Sequence, residues 1–583
     1  MDSGLDVILP RVQKPARYTD GEWNAVHKDR GSMRARFVLC YPDTYEVGMS
    51  HLGLQILYHV LNSHPDFLAE RCFAPWPDME QELRSGGIPL FSLESRTPLR
   101  DFDAIGITLP YELTYTNVLS MLDLAGVPVR AADRAPGDPL VIGGGPGAVN
   151  PEPVAEFFDA ILIGEGEDAI LEIAEAAALD DRAVALERLA QIEGMYVPSL
   201  YRHTPAGAGP RGAVTPADGA PARIPRRFVA DLDAAPFPTR QIVPFVETVH
   251  SRVTLEIMRG CGRGCRFCQA RAAYAPKRHR SIETILQQAQ EAVEATGYDE
   301  ISLLAFTSVD YRDIEGLVSA LVERFGDRGV GVALPSLRVD AFSVSLANKI
   351  QEVRKSGLTF APESGTQRLR DVIRKRVTED DLFAAADAAF SSGWNRLKLY
   401  FMIGLPTETD EDVGAIGDLV NRLVAFARGA LGSRRGRLQI GVSVSAFVPK
   451  PHTPFQWVAQ DEMETIARKQ RILQQALRDR AVKLSWTDPQ VSALEAAISR
   501  GDRRVGRAIE AAWRMGCTFD AWSERFDFGR WERAFGEAGI EMRDYANAAL
   551  PFDAPLAWDH VDCGNEKEAL RQEAEQALGG EQS

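Results

Sequence analysis

RGCGRGCRFCQAR, residues 259–271, sets Cys261, Cys265 and Cys268 in a C-x3-C-x2-C spacing among three glycines and four arginines. Three readings are open for such a triad. As small buried apolar groups the cysteines fit poorly, because a Gly- and Arg-rich turn carries little local core. A structural zinc ion takes four ligands, usually as two separated pairs. No second C-x2-C occurs in the chain, and His279 lies in KRHR, a setting that opposes a cation. An iron–sulfur cluster is held by Cys thiolates, normally four, so three leave one iron free for an exchangeable ligand. Gly260, Gly262 and Gly264 permit a tight loop with backbone N–H groups turned to sulfide. Arg259, Arg263, Arg266 and Arg271 are placed to stabilise thiolates.

The other four cysteines, Cys40, Cys72, Cys517 and Cys563, are isolated. An odd total at low density is no disulfide scaffold and points to metal binding in a reducing compartment, the cytoplasm. The start has no charged segment followed by an apolar one, so no signal peptide is expected. No run of about 18 apolar residues occurs, so no membrane span is expected. A formal net charge of -16 argues against bulk nucleic-acid binding, which needs basic surface.

The 583 residues exceed one core and predict several domains. Residues 1–34 are a polar, irregular N-terminal extension. From 35 to 200 short apolar runs alternate with helical periodicity, among them ARFVLCYPD, FDAIGITLPYE, PLVIGGGPG and FFDAILIGEGE. This is the pattern of a doubly wound, Rossmann-like parallel α/β domain, whose ligands sit beyond the strand carboxyl ends. Residues 201–245, rich in Pro, Gly and Ala near their start, read as a linker. A second alternation over 246–480 gives six βα-like repeats, a full or partial barrel, and the cysteine triad directly follows its first strand. Residues 481–583 read as a mainly helical C-terminal region.

CGRGCRFC at the end of a first barrel strand resembles the defining motif of the radical S-adenosylmethionine (SAM) superfamily. The resemblance implies a [4Fe–4S] cluster on Cys261, Cys265 and Cys268. It also implies SAM on the open iron and its reductive cleavage to a 5′-deoxyadenosyl radical, fed by an electron donor such as flavodoxin or ferredoxin. Phe267 matches the family's residue beside the adenine. LLAFTSVDY (303–311) takes the second-strand place that holds the SAM amino group, with Thr307 and Ser308 as candidates, though it departs from the usual Gly-Gly-Glu. APESGTQRLR (361–370) resembles the fourth-strand motif and places Glu363 and Ser364 toward ribose or methionine. FMIGLPTET (401–409) resembles the fifth-strand element, with Gly404 and Pro406 beside adenine.

The first α/β domain resembles the cobalamin-binding domain of a large radical SAM class, on VIGGGPGAVNPEPVAEFFDAILIGEGE (141–167). That implies cobalamin as a further cofactor, with Thr108 and the loop Gly143, Gly144, Gly145 to Gly147 at its nucleotide tail. The D-x-H-x-x-G of histidine-ligated cobalamin domains is not matched, since Asp43, His51 and Gly53 have other spacings. The expected activity is radical SAM chemistry on an unnamed substrate, with cobalamin relaying a methyl group. Two alternatives stay open. One is methylthiotransferase-like modification of RNA or protein, weakened by the lack of a second cysteine triad. The other is a non-catalytic cobalamin or redox sensor. Lys450 and His452 read as a rigid Pro-rich turn or as groups near substrate, and no catalytic side chain is singled out.

Overall fold

The computed structural model describes residues 2–334, 358–432 and 438–579. Six strands form the first sheet: β1 (Ala35–Tyr41), β2 (Phe67–Phe73), β3 (Ala104–Thr108), β4 (Leu140–Gly144), β5 (Ala160–Leu162) and β6 (Met195–Tyr196). Their order is β2-β1-β3-β4-β5-β6, parallel except for β6. β1 and β2 are buried on both faces, which is why β1 reads as an apolar run, Phe37 to Tyr41, rather than as alternation, while β2 carries the buried charges Glu70 and Arg71. The chain leaves β1 in one direction to β2 and in the other to β3. The switch point between β1 and β3 opens a crevice at the strand carboxyl ends.

The second α/β region has two sheets of parallel strands. Val253–Glu256, Glu300–Leu304 and Gly331–Ala333 form one. Leu358–Glu363, Arg396–Ile403, Gln439–Ala446 and Val482–Trp486 form the other. Among the described residues both sheets are open, in keeping with a partial rather than a closed barrel; part of the expected strand at 331–339 lies outside those residues. The helices between strands start where the sequence caps them. Ser281 accepts the Thr284 N–H ahead of Ile282–Thr296, and Thr378/Asp381 and Thr409/Asp412 form reciprocal capping boxes.

One apolar core runs from Phe37 and Leu39 of the first sheet into Val253, Leu255, Leu303 and Leu399 of the second region, so the two α/β units are fused through their faces. The opposite face of the first sheet, Val38, Cys40 and Ile105, packs on Leu494, Ile509, Trp531 and Tyr545 of the C-terminal region. Each fully buried large side chain of this kind contributes about 1.5–3 kcal/mol. The N-terminal extension is locked by Glu22. Its carboxylate meets the guanidinium of Arg71 at 2.5 Å, while Glu94 takes the same guanidinium at 2.6 Å, all with side chains 2% exposed or less.

The structure corrects the sequence reading in two places. Residues 201–245 are no free linker. Tyr201–Pro205 pairs antiparallel with Gly212–Pro216, Ile224–Pro225 pairs parallel with Val561–Asp562, and Val229, Leu232, Phe237 and Ile242 are buried. Pro and Gly here shape turns between paired segments. The C-terminal region, in turn, opens on Val482–Trp486, an edge strand of the second sheet, before its helices begin.

Candidate functional site

The cysteine loop leaves the first strand of the second region and returns through Arg278–His279, which pairs antiparallel with Met258–Arg259. Gly260 makes the exit with φ +81; a Cβ there would stand 2.6 Å from the carbonyl oxygens of Tyr274 and Pro276. Gly264 also has positive φ, whereas Gly262 does not and needs no special freedom. The three thiols are half-buried, and the Cys268 N–H donates to the Cys265 carbonyl at 3.1 Å. Burial pushes the Cys268 thiol up to about 11, and the thiols of Cys265 and Cys261 add to it. A thiol raised in this way favours a cationic partner, as a cluster iron is.

Each expected cofactor element is tied to this loop or to its neighbours. Arg263 Nε donates to Asp310 at 2.8 Å, in the turn carrying Thr307 and Ser308. The backbone N–H of Arg266 donates to the Ile373 carbonyl at 3.0 Å and its guanidinium to the Val372 carbonyl at 2.8 Å. Lys375, two residues on, pairs with Glu363 at 2.8 Å. Phe267 packs against the cluster of Leu369, Ile373, Leu405, Phe447 and Phe455, beside the turn of Gly404 and Pro406. The loop, the second-strand turn, the fourth-strand end and the fifth-strand turn thus converge.

Within that convergence, the hydroxyls of Thr307 and Ser308 are buried without a hydrogen-bond partner. Unpaired buried hydroxyls are costly, so they mark where a polar ligand is missing. Glu363 has φ 68, a left-handed conformation unusual for this residue type, next to a register shift in its strand. Ser364 is buried, and its carbonyl accepts from Arg370 at 2.8 Å. Gly404 has φ +79, and its N–H donates to Glu408 Oε1 at 2.7 Å. Lys469 holds Glu408 from the other side at 2.7 Å and also reaches Asp461.

A cavity of about 640 Å³ lies between the two regions. Thr108, Gly143, Gly144 and Gly145 line it from the first sheet, and Thr254, Met258, Tyr274, Leu304 and Phe306 from the second region. Its wall charges are paired. Arg259 reaches Glu165, Glu167 and Glu256 at 2.9, 2.6 and 2.8 Å, and Arg278 reaches Glu165 at 2.7 Å. Burial opposes ionisation of Glu165, yet hydrogen bonds from Arg278 and the charge of Arg259 outweigh it and hold the carboxyl below its ordinary value. What remains is a mostly apolar hollow with a glycine floor.

This revises the arginine reading. Arg259 seals the seam between regions, Arg263 pairs with Asp310, and Arg271 pairs with Glu573. Only Arg266 is bound to backbone carbonyls alone in the pairs just described. Lys450 pairs with Glu112 and Glu495, and the His452 Nε2–H donates to the Val149 carbonyl, so both brace the regions together. Burial pushes the thiols of Cys517 and Cys563 up to about 12, which keeps them inert. The sequence reading missed Lys375, Glu408 and Lys469, whose partners lie on other elements. His51, which the sequence offered only at a spacing unlike the histidine-ligated motif, lines the cavity after capping the helix Leu52–Ser63 through Nδ1.

The model of the Radical SAM superfamily matches residues 255–420, and that of radical SAM proteins, N-terminal, matches residues 53–198. The chain is a radical SAM enzyme. This family works with a [4Fe–4S] cluster and SAM. Over 476 residues it is 27% identical to the uncharacterized protein MJ0966 of Methanocaldococcus jannaschii, covering 81% of this chain and 90% of that protein. The threonylcarbamoyladenosine tRNA methylthiotransferase MtaB of Treponema pallidum is 28% identical over 171 residues, 28% of this chain and 34% of that protein. Among solved structures, the radical SAM methyltransferase TsrM of Kitasatospora setae, solved with cobalamin and a [4Fe–4S] cluster bound, is 16% identical. It superimposes with a TM-score of 0.49 over 75% of this chain and 79% of that one. Among the described residues no helix is long and apolar enough to cross a membrane.

Proposed function

We propose that this radical SAM enzyme holds its cluster on Cys261, Cys265 and Cys268 and carries cobalamin in the cavity between the two α/β regions, transferring a methyl group to a substrate. The observation that carries the reading is the convergence of three other strand ends on the cysteine loop, with the unpartnered hydroxyls of Thr307 and Ser308 inside it. When bound, the cluster supplies the electron that cleaves SAM to a 5′-deoxyadenosyl radical, and cobalamin supplies an exchangeable methyl group. The chain's own residues bind and orient. Thr307 and Ser308 offer oxygen acceptors to the SAM ammonium. Glu363, held by Lys375, faces the polar end of SAM with Ser364 beside it. Gly404 and Pro406 give the adenine a close backbone edge, and Phe267 covers it. Gly143 to Gly145 form a floor without side-chain bulk, with the Thr108 hydroxyl beside it, as a cofactor tail at the switch point requires. The buried apolar walls, Ile107 and Met258 among them, keep water from a reactive radical. An electron-transfer protein of the flavodoxin or ferredoxin kind serves as donor.

Methylthiotransferase chemistry fits less well. Cys40 and Cys72, the two cysteines of the first region, face each other on β1 and β2, buried and away from the cavity-lining residues. The test is anaerobic reconstitution with iron and sulfide, loading with cobalamin, then addition of SAM and dithionite. Expected are 5′-deoxyadenosine, lost in Cys265→Ala, and the visible spectrum of bound cobalamin. An intact cluster that yields no 5′-deoxyadenosine would leave only a redox-sensing role.

A further inference from the structure

The C-terminal helix Lys567–Leu578 lies far along the chain from the cysteines, yet it touches the site. Glu573 takes Arg271 Nη1 at 2.8 Å with one oxygen and Arg374 Nη1 at 3.3 Å with the other. Arg271 sits on Ala270–Tyr274, the helix that begins two residues after Cys268. Arg374 belongs to the turn whose Val372 and Ile373 carbonyls hold Arg266 and whose Lys375 holds Glu363. One turn further along the helix, Ala577 is buried among Leu369, Ile373, Leu405, Phe447 and Phe455, the cluster on which Phe267 rests.

From this geometry we infer that Glu573 is a positioning residue for the cluster. One carboxylate joins the exit of the cysteine loop to the turn that supports the SAM side, and its helix forms a wall of the cofactor site. This rests on the assignment of the cluster to Cys261, Cys265 and Cys268. Both arms are part-exposed ion pairs, and each shifts the closed–open equilibrium of the loop by up to about fivefold. Glu573 touches neither cluster nor SAM; it acts by keeping two segments in register, as supporting partners do around metal ligands. Without it the loop breathes, and oxygen and water reach the thiolate ligands.

The test compares the full-length wild type with Glu573→Gln, the charge-conserving Glu573→Asp, and Arg571→Gln as control. Arg571 pairs with Glu568 and Glu575 along the same helix, with its side chain 43% exposed. All are reconstituted anaerobically with iron and sulfide, then exposed to air while the cluster absorption is followed. Glu573→Gln is expected to bleach several-fold faster than wild type at an unchanged melting temperature. Glu573→Asp, which keeps the charge between both arginines, should recover part of the difference, and Arg571→Gln should match wild type. If Glu573→Gln unfolds, Arg374→Gln removes one arm alone and should bleach about twofold to fivefold faster. Variants that bleach at the wild-type rate overturn the clamp while leaving the cluster assignment standing. A wild type that takes up no iron overturns both.

Discussion

The cysteine loop and the cavity beside it both sit at the carboxyl ends of parallel strands, but they are made of different material. The loop is a short, chemically marked segment: three thiols, two glycines forced into positive φ, and guanidiniums that tie it to each neighbouring turn. The cavity is assembled from residues as far apart in the chain as Leu39 and Phe306, with glycines on one side, aliphatic and aromatic groups on the other, and every wall charge named above already paired. A site that holds a small, highly charged cluster needs particular atoms at particular spacings. A site that holds a large cofactor needs room, and room is encoded by what a residue lacks.

That contrast can be broken or sharpened by five substitutions. The largest effect is expected at Gly260. Gly260→Ala drives a Cβ to within 2.6 Å of two carbonyl oxygens, while Gly262→Ala meets only the end of Lys277 at 3.9 Å. Iron content after reconstitution should therefore collapse in the first and stay at the wild-type level in the second. Gly144→Phe comes next. A Cβ at Gly144 makes ordinary contacts at 3.8 Å with Leu162, and the ring fills the cavity beyond. Cobalamin uptake, read from visible absorption, should fall at least tenfold with the cluster spectrum intact; full uptake would move the cobalamin site elsewhere.

Thr307→Val removes a hydroxyl that has no partner in the free protein, so the melting temperature should hold or rise. Because a hydrogen bond to a charged group is worth about 1.5–3 kcal/mol, the KM for SAM should rise about tenfold or more. An unchanged KM would place the SAM ammonium away from this turn. The smallest effect concerns the seam that both sites share. Burial pushes the His452 imidazole down to about 4. Between that value and the usual 6.5 the unfolded chain binds a proton that the native chain does not, so stability falls on acidification through this window. The slope is up to about 1.4 kcal/mol per pH unit. His452→Asn, which tolerates the left-handed φ of 59 at this position, should flatten the dependence of melting temperature on pH between 6.5 and 5.

The same contrast explains what was legible in the sequence. The triad, Phe267, Thr307, Ser308, Glu363, Ser364, Gly404 and Pro406 stand in chain order after their strands, and the strands themselves announce the parallel sheets. Glu573, Lys469 and Glu165 act across sequence separations that no local pattern records. The arginines of the loop misled because their charge was visible and their carboxylate partners were not. Residues 201–245 misled in another way: Pro and Gly signal turns, and whether the segments between those turns find partners depends on Val561 and Asp562, far along the chain.

The Glu573 clamp also has a bearing on when the cofactor can be installed. Arg271 and Glu573 are separated by 302 residues. During synthesis at ~5–20 residues per second, the loop therefore waits on the order of 15–60 s before its last wall is made. Through that interval the cysteines are present and open, and a cluster delivered then enters an unclosed loop. Synthesis of the helix that carries Glu573, rather than arrival of the metal, is the event that shuts the site.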